Sequence, residues 1–171
     1  MPRNQWLTLC AALLLCFVAV SAGNTQSNPE ALRNAPDAIE MDGVAVQLEA
    51  EVWRDFMPTA YPDEASRLQA SATGPGQPMT ARLRIRVRNG QQIPPGVSVD
   101  VAWVIWNDRI WESRPSEDLP RDAANQAMSL YLENGPKWPP GATVDIVVRV
   151  VDAAGVAHLL SSRGQKIHAA A

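Results

Sequence analysis

The sequence predicts an all-β domain, a two-sheet antiparallel β-sandwich of about seven strands. Three observations predict it. Apolar residues recur at every second position in four separate stretches, the period of a strand with one buried and one solvated face. Glycine, proline, asparagine and aspartate punctuate the intervals between stretches, where turns need them. No amphipathic helix of useful length interrupts the pattern. The chain has 171 residues, the length of one domain, and a net charge of −3 that gives no electrostatic footprint for nucleic acid.

Residues 1–22 read as a secretory leader. Met1–Gln5 is a short polar segment carrying Arg3, Leu7–Val20 is apolar, and Val20-Ser21-Ala22 places small or compact residues where a signal peptidase cuts. The apolar run is shorter than the roughly 20 residues that span a bilayer, which favours cleavage over anchoring. Cleavage after Ala22 removes both cysteines, Cys10 and Cys16. Disulfide, thiolate and cysteine–zinc chemistry are then excluded from the secreted product. A periplasmic or secreted location is the expectation, with membrane contact only through the leader.

Residues 23–42 are polar and read as a flexible N-terminal arm, with one helical turn at Asn28-Pro29-Glu30. Asparagine can cap there, and proline suits the first helical position. The sandwich is expected over 43–162 and a frayed tail over 163–171. Its strands fall at 43–53, 79–89, 97–107, 109–113, 126–133, 142–152 and 155–162. Val44, Val46, Leu48, Ala50 and Val52 form the inner face of the first. Ala81, Leu83, Ile85 and Val87 do so in the second, with Arg82, Arg84, Arg86 and Arg88 outside. Val97, Val99, Val101, Trp103 and Ile105 are expected on the inner face of the third; Val144, Ile146, Val148 and Val150 line the sixth. Asn107-Asp108 fits a two-residue hairpin turn, and Asp152–Gly155 a four-residue one. Pro94-Pro95-Gly96 recurs as Pro139-Pro140-Gly141, and each Pro-Gly pair suits a type II turn that aims the following strand.

The last third, WPPGATVDIVVRVVDAAGVAHLL, resembles secreted bacterial immunoglobulin-like or fibronectin-III-like domains. It has their Pro-Gly turn, long penultimate strand, hairpin and final strand. The segments WRDFMP (Trp53–Pro58) and NGPKWPPG (Asn134–Gly141) are similar to a small secreted family with no attached activity. The resemblance covers about residues 43–162 and implies an Ig-like sandwich, although antibody-type domains carry two core cysteines that this region lacks.

Motifs for chemistry are sparse. His158 and His168 stand outside any nucleophile–base order, and phosphate-loop, dinucleotide and zinc-protease patterns are absent. Met57 and Met79 have no histidine nearby in sequence, and the acidic pairs near Asp63 and Glu117 lack calcium-loop spacing. No cofactor and no metal are expected. Two features suggest recognition. Arg84, Arg86 and Arg88, with Arg82, form either a basic stripe for a polyanionic or acidic partner or a set of cross-strand pairs with Glu49 and Glu51. Trp106 and Trp111 flank the Asn107-Asp108 turn, either as an exposed pair for a sugar ring or protein partner or as a pair shielding the hairpin. The long segments Arg54–Pro78 and Ser113–Asn125 are candidate binding loops. The expected function is a non-catalytic binding or structural module, interacting with an envelope protein. A carbohydrate-binding module and a secreted hydrolase inhibitor are the alternatives.

Overall fold

Alternating side chains hold most of this chain extended, and its turns decide how the strands meet. The computed structural model describes residues 28–57, 63–66, 68, 74–88, 91–117 and 127–170. The expected leader lies outside the described residues. Among those described, no helix is long and apolar enough to cross a membrane.

The order of elements is α1 (Pro29–Arg33), β1 (Ala38–Met41), β2 (Val44–Asp55), β3 (Met79–Val87), β4 (Ser98–Trp106), β5 (Arg109–Ser113), β6 (Ser116–Glu117), β7 (Ala127–Gly135), β8 (Thr143–Val151) and β9 (Ala157–Ala170). The seven expected strands are β2, β3, β4, β5, β7, β8 and β9; β1 and β6 are additional. The fold is all-β. Its strands form one mixed, strongly curled sheet in the order β5-β4-β8-β9-β2-β3-β7-β6, with β1 added to β2.

The sheet departs from the fully antiparallel expectation at one place. Val52–Asp55 of β2 runs parallel to Ile167–Ala170 of β9. Residues 163–170, expected as part of a frayed tail, are the second half of β9. Their polar surface hides the strand signal, but Ile167 is 1% exposed. β9 pairs with β8 through Ala157–Lys166 and then with β2. The change of partner follows a bulge. The register passes from Ile146↔Ser162 to Val144↔Gln165, which inserts one extra residue in β9. Gly164 supplies the positive φ of 66° there, and its N–H donates to Asp145 Oδ1 at 2.9 Å.

The core fills the inside of the curl. Val46, Leu48 and Val52 from β2, Leu83 and Ile85 from β3, and Leu130 and Leu132 from β7 belong to the same cluster as Val104, Ile146, Val148 and Leu160. Both halves of the sheet therefore bury their apolar face against each other. The turns take the expected forms. Gly96 and Gly141 have φ of 81° and 84°, and Asn107 has φ of 54° in the β4–β5 hairpin.

In β4 the expected inner face is only half correct. A register shift between Val99 and Val101 sets Asp100 into a bulge. Val97 and Val99 pack on the main core, as do Ala102 and Val104. Val101, Trp103 and Ile105 point to the other side of the sheet, into a second cluster with Val147. One extra residue inverts the alternation, so uninterrupted alternation in the sequence was misleading here.

That second cluster is covered by the arm. Asn28 caps α1, its Oδ1 accepting from Glu30 N–H at 3.1 Å, and Pro29 begins the helix. Leu32 and Ala35 sit on Val101, Trp103 and Val147. Ser161 donates its N–H to Pro36 O and its hydroxyl to Ala35 O, at 2.7 and 2.9 Å. Arg163 donates to Arg33 O and Ala35 O. From Asn28 onward the arm is a docked part of the fold, where a flexible segment was expected.

The lower pole of the sheet is tied by Arg54, which is 5% exposed. Its Nε donates to Gln77 O at 3.1 Å, Nη1 to Trp138 O at 3.2 Å and Nη2 to Pro75 O at 2.6 Å. The guanidinium stacks over Phe56, 4.8 Å from its centroid. Burial lowers the Arg54 pKa, yet a guanidinium stays charged in proteins. Arg54→Met leaves the Gln77, Trp138 and Pro75 carbonyls, and the longer contact to Lys137 O, without this donor and is expected to destabilise the protein by at least about 3 kcal/mol in denaturant unfolding. Arg54→Lys should recover less than half of that loss, because an ammonium lacks the planar fork that reaches separate loops. Wild-type stability in either variant would contradict this account.

Candidate functional site

The inversion in β4 creates the most differentiated surface of the described structure. Trp103 lies at the centre of the outer face of β4, 2% exposed, with its indole N–H donating to Glu112 Oε2 at 2.8 Å. Glu112 stands directly opposite it on β5. On the other flank is Arg149 of β8. Its Nε and Nη2 grip the two oxygens of Asp100, the bulged residue, at 2.9 and 2.6 Å. The hydrogen bond from Arg149 holds the Asp100 carboxyl below the usual carboxylate range, against a smaller opposing effect of desolvation. The same contact raises the Arg149 pKa.

Two depressions meet at these side chains. One, of about 230 Å³, is walled by Ala31 and Leu32 of α1 and floored by Trp103 and Leu159; its exposed lining is mainly apolar. The other, of about 240 Å³, is polar and is bounded by Asp100, Glu112, Arg114 and Arg149. Trp103 and Arg149 line both. Asp100 is held by Arg149 and Glu112 by Trp103, so these carboxylates fix the shape of the surface. A ligand here would meet a preformed apolar slot beside fixed charges, an arrangement suited to recognition.

The residues singled out from sequence lie elsewhere. Arg82 and Arg86 on the outer face of β3 pair with Glu51 and Glu49, each at 2.8 Å. All four side chains are about half exposed, so each pair contributes at most about 1 kcal/mol. Arg84 is exposed on the same face and Arg88 is exposed just past the end of β3; neither makes an ion pair among the described residues. Arg84 borders a shallow polar depression with Arg82, Glu49 and Glu51.

Trp106 and Trp111 do not form a pair across the hairpin tip. Both are half-buried and pack against the main core. Trp106 meets Trp138, with ring centroids 5.5 Å apart and planes at 48°, and Arg109 lies over its ring. Trp111 covers Gly135 on β7 so closely that a Cβ there would come within 2.7 Å of the indole. His158 borders the apolar depression and stands 3.3 Å from Asp152, while His168 is opposite Trp53 in the β2–β9 pairing. Among the described residues, no group of three or more His, Cys, Asp or Glu side chains could hold a metal ion. The candidate loops over 54–78 and 113–125 lie partly outside the described residues.

Sequence reasoning passed over Trp103, Asp100, Glu112 and Arg149. Trp103 reads as a core residue, and buried it is, but under the arm. The one available signal was Asp100, a charge in an otherwise apolar run.

No protein family, curated protein or solved structure matches this chain.

The Asp100–Arg149 pair makes a pH prediction. A carboxyl with a lowered folded pKa stabilises the protein above its unfolded pKa of about 3.9, and that contribution is lost as pH falls through the lowered value. Asp100→Asn should therefore cost about 0.5–1 kcal/mol at neutral pH, a figure limited by partial exposure. In denaturant melts at decreasing pH the gap to wild type should close below the unfolded pKa. A gap that persists in strong acid would show that the bulge, and not the charge, is what the substitution disturbs.

Proposed function

We propose that this chain is a secreted or periplasmic, non-catalytic binding module that holds an extended segment of an envelope protein beside α1. The observation that carries the reading is the apolar slot between α1 and Trp103, adjoining a polar depression. An extended peptide could place an apolar side chain in the slot and a polar neighbour over Arg149. The leader-like residues 1–22 support export of the protein. The fixed pairings of Asp100 and Glu112 favour recognition over acid–base chemistry, which needs a carboxyl free to exchange its proton.

The strand order supports an immunoglobulin-like reading of the fold. Renaming β2, β3, β6 and β7 as strands A, B, D and E gives the order A-B-E-D on one side. Renaming β4, β8 and β9 as C, F and G gives C-F-G on the other, with β5 as an added edge strand. In that description the parallel β2–β9 contact is the place where the two layers meet.

Ala31 is exposed on the wall of the slot, so it can be changed without disturbing the core. Ala31→Arg should leave the melting temperature within about 2 °C of wild type, as exposed substitutions do. It should abolish crosslinking of partner protein to a photoreactive residue introduced at Ala157, across the slot. Crosslinks of equal yield in the presence and absence of Ala31→Arg would overturn the assignment.

A further inference from the structure

We propose that two copies of this chain join edge to edge through β5, forming an antiparallel pair centred on Trp111. Among the described residues, β5 is the terminal strand on its side of the sheet and pairs with β4 alone. Its closing pair with β4 is Trp106↔Arg109 across a two-residue turn. In such a hairpin the closing pair is hydrogen-bonded, and hydrogen-bonded pairs then alternate along the strands. Arg109, Trp111 and Ser113 therefore direct their backbone groups to β4. Ile110 and Glu112 direct theirs outward, away from the sheet. Edge strands of this kind are templates for strand addition. Ile110 is also one of the exposed large apolar side chains, 38% accessible.

The charges of the hairpin select the occupant and the register. Ile110 and Glu112 lie on the outer face of the sheet, opposite Ile105 and Trp103. Asp108 and Arg114 continue that face at either end, and both are exposed. In a two-fold pair, residues directly opposite must share a face, so the register can change only in steps that keep that parity. Centring on Trp111 puts Ile110 opposite Glu112 of the second copy, with reciprocal backbone hydrogen bonds. It also puts Asp108 opposite Arg114 of the second copy, and the reverse. Centring on Ile110 would oppose Asp108 to Glu112, and centring on Glu112 would oppose that residue to itself. Like charges directly opposite are unfavourable. Of the registers centred on Ile110, Trp111 and Glu112, the one on Trp111 alone sets opposite charges against each other and no like charges.

Asp108 can serve both contacts. Arg33 of α1 donates to its Oδ1 at 2.9 Å, leaving Oδ2 for Arg114 of the second copy. The pairing extends the polar depression at Glu112 and Arg114 with Ile110 and Asp108 of the second copy, and leaves the slot beside α1 open. The pairing stands or falls separately from the partner-binding reading, because Ala31 lines the slot and is not among the residues set opposite one another across β5.

Sedimentation velocity across a concentration series into the millimolar range tests this. Wild type should pass from monomer to dimer. Arg114→Asp should weaken the dimer about tenfold or more, since it sets like charges against each other at both ends. The double variant Asp108→Arg, Arg114→Asp should dimerise more tightly than Arg114→Asp, short of wild type because it loses the Arg33 contact with Asp108. Ile110→Pro should be monomeric with an unchanged circular dichroism spectrum, because it removes an outward N–H and no bond to β4. A wild type that stays monomeric throughout would overturn the proposal. So would a dimer that Arg114→Asp and Ile110→Pro leave intact.

Discussion

The architecture depends on one strand serving two neighbours. β9 is 14 residues long, and its first part completes the β5-β4-β8 half while its end runs parallel to β2. Without that switch the two halves would share only side-chain contacts. With it, backbone hydrogen bonding is continuous around the curl, and neither half has an open edge at the seam. The switch rests on the bulge at Gly164. A straight strand would keep the same face inward, and Leu160 and Ile167, an odd number of residues apart, could not both reach the core. The extra residue restores the phase, so both are buried. β1 then fills the space beside the first half of β2 that β9 does not reach.

Arg54 solves a related problem at one pole. The segments 74–78 and 136–139 lie where strand pairing ends, and their carbonyls have no ladder partner. A neutral amide side chain offers two donors at most. A guanidinium satisfies several in one plane, and among the described residues it makes no ion pair with a carboxylate. Carbonyl dipoles and the Phe56 ring take the place of a counter-ion. The close packing of Gly76 against both side chains follows from this arrangement, since a Cβ there would meet Phe56 at 2.7 Å. Thus WRDFMP and NGPKWPPG, distant in sequence and unusual in composition, become intelligible together: one supplies the cation, and the other supplies the Trp138 acceptor beside those of Pro75 and Gln77. Trp111 over Gly135 joins the opposite ends of the curled sheet near the same segment.

Much of this was legible in the sequence, for specific reasons. The periodicity of β2, β3 and β8 is unbroken, so their inner faces could be read directly. Asn107 and the Pro-Gly turns announce conformations that few other residues adopt at low cost. The Asn28-Pro29 start of α1 was visible because capping is a local property. What could not be read depends on pairing between distant segments. A bulge is defined by the opposing strand, so the inversion leaves only the isolated charge of Asp100 as a trace in the sequence. The end of β9 has alternation too weak to mark a strand, and its order comes from β2. The candidate site was missed for the same reason. Its residues look ordinary one at a time, and only the inverted register brings Trp103, Glu112, Asp100 and Arg149 to one surface. Trp106 and Trp111, read from the turn as either an exposed pair or a pair shielding the hairpin, lie on the face that the inversion sends inward.

The site can be derived from that inversion. Once Asp100 is bulged, Val101, Trp103 and Ile105 leave the main core and emerge on the outer face beside Val147 and Leu159. An apolar strip of this size on an exposed sheet would be an aggregation liability. The chain covers it with its own residues 28–37, held by Ser161 and Arg163 through the backbone of the arm. A five-residue helix is too short to cover the strip from end to end. Leu32 and Ala35 close one part, and the remainder is the slot between Ala31 and Leu159. The residue that causes the inversion also supplies the carboxylate that holds Arg149 at the slot's margin. A single extra residue in β4 therefore accounts for the docked arm, for the buried tryptophan outside the main core, and for the apolar slot beside a fixed charge.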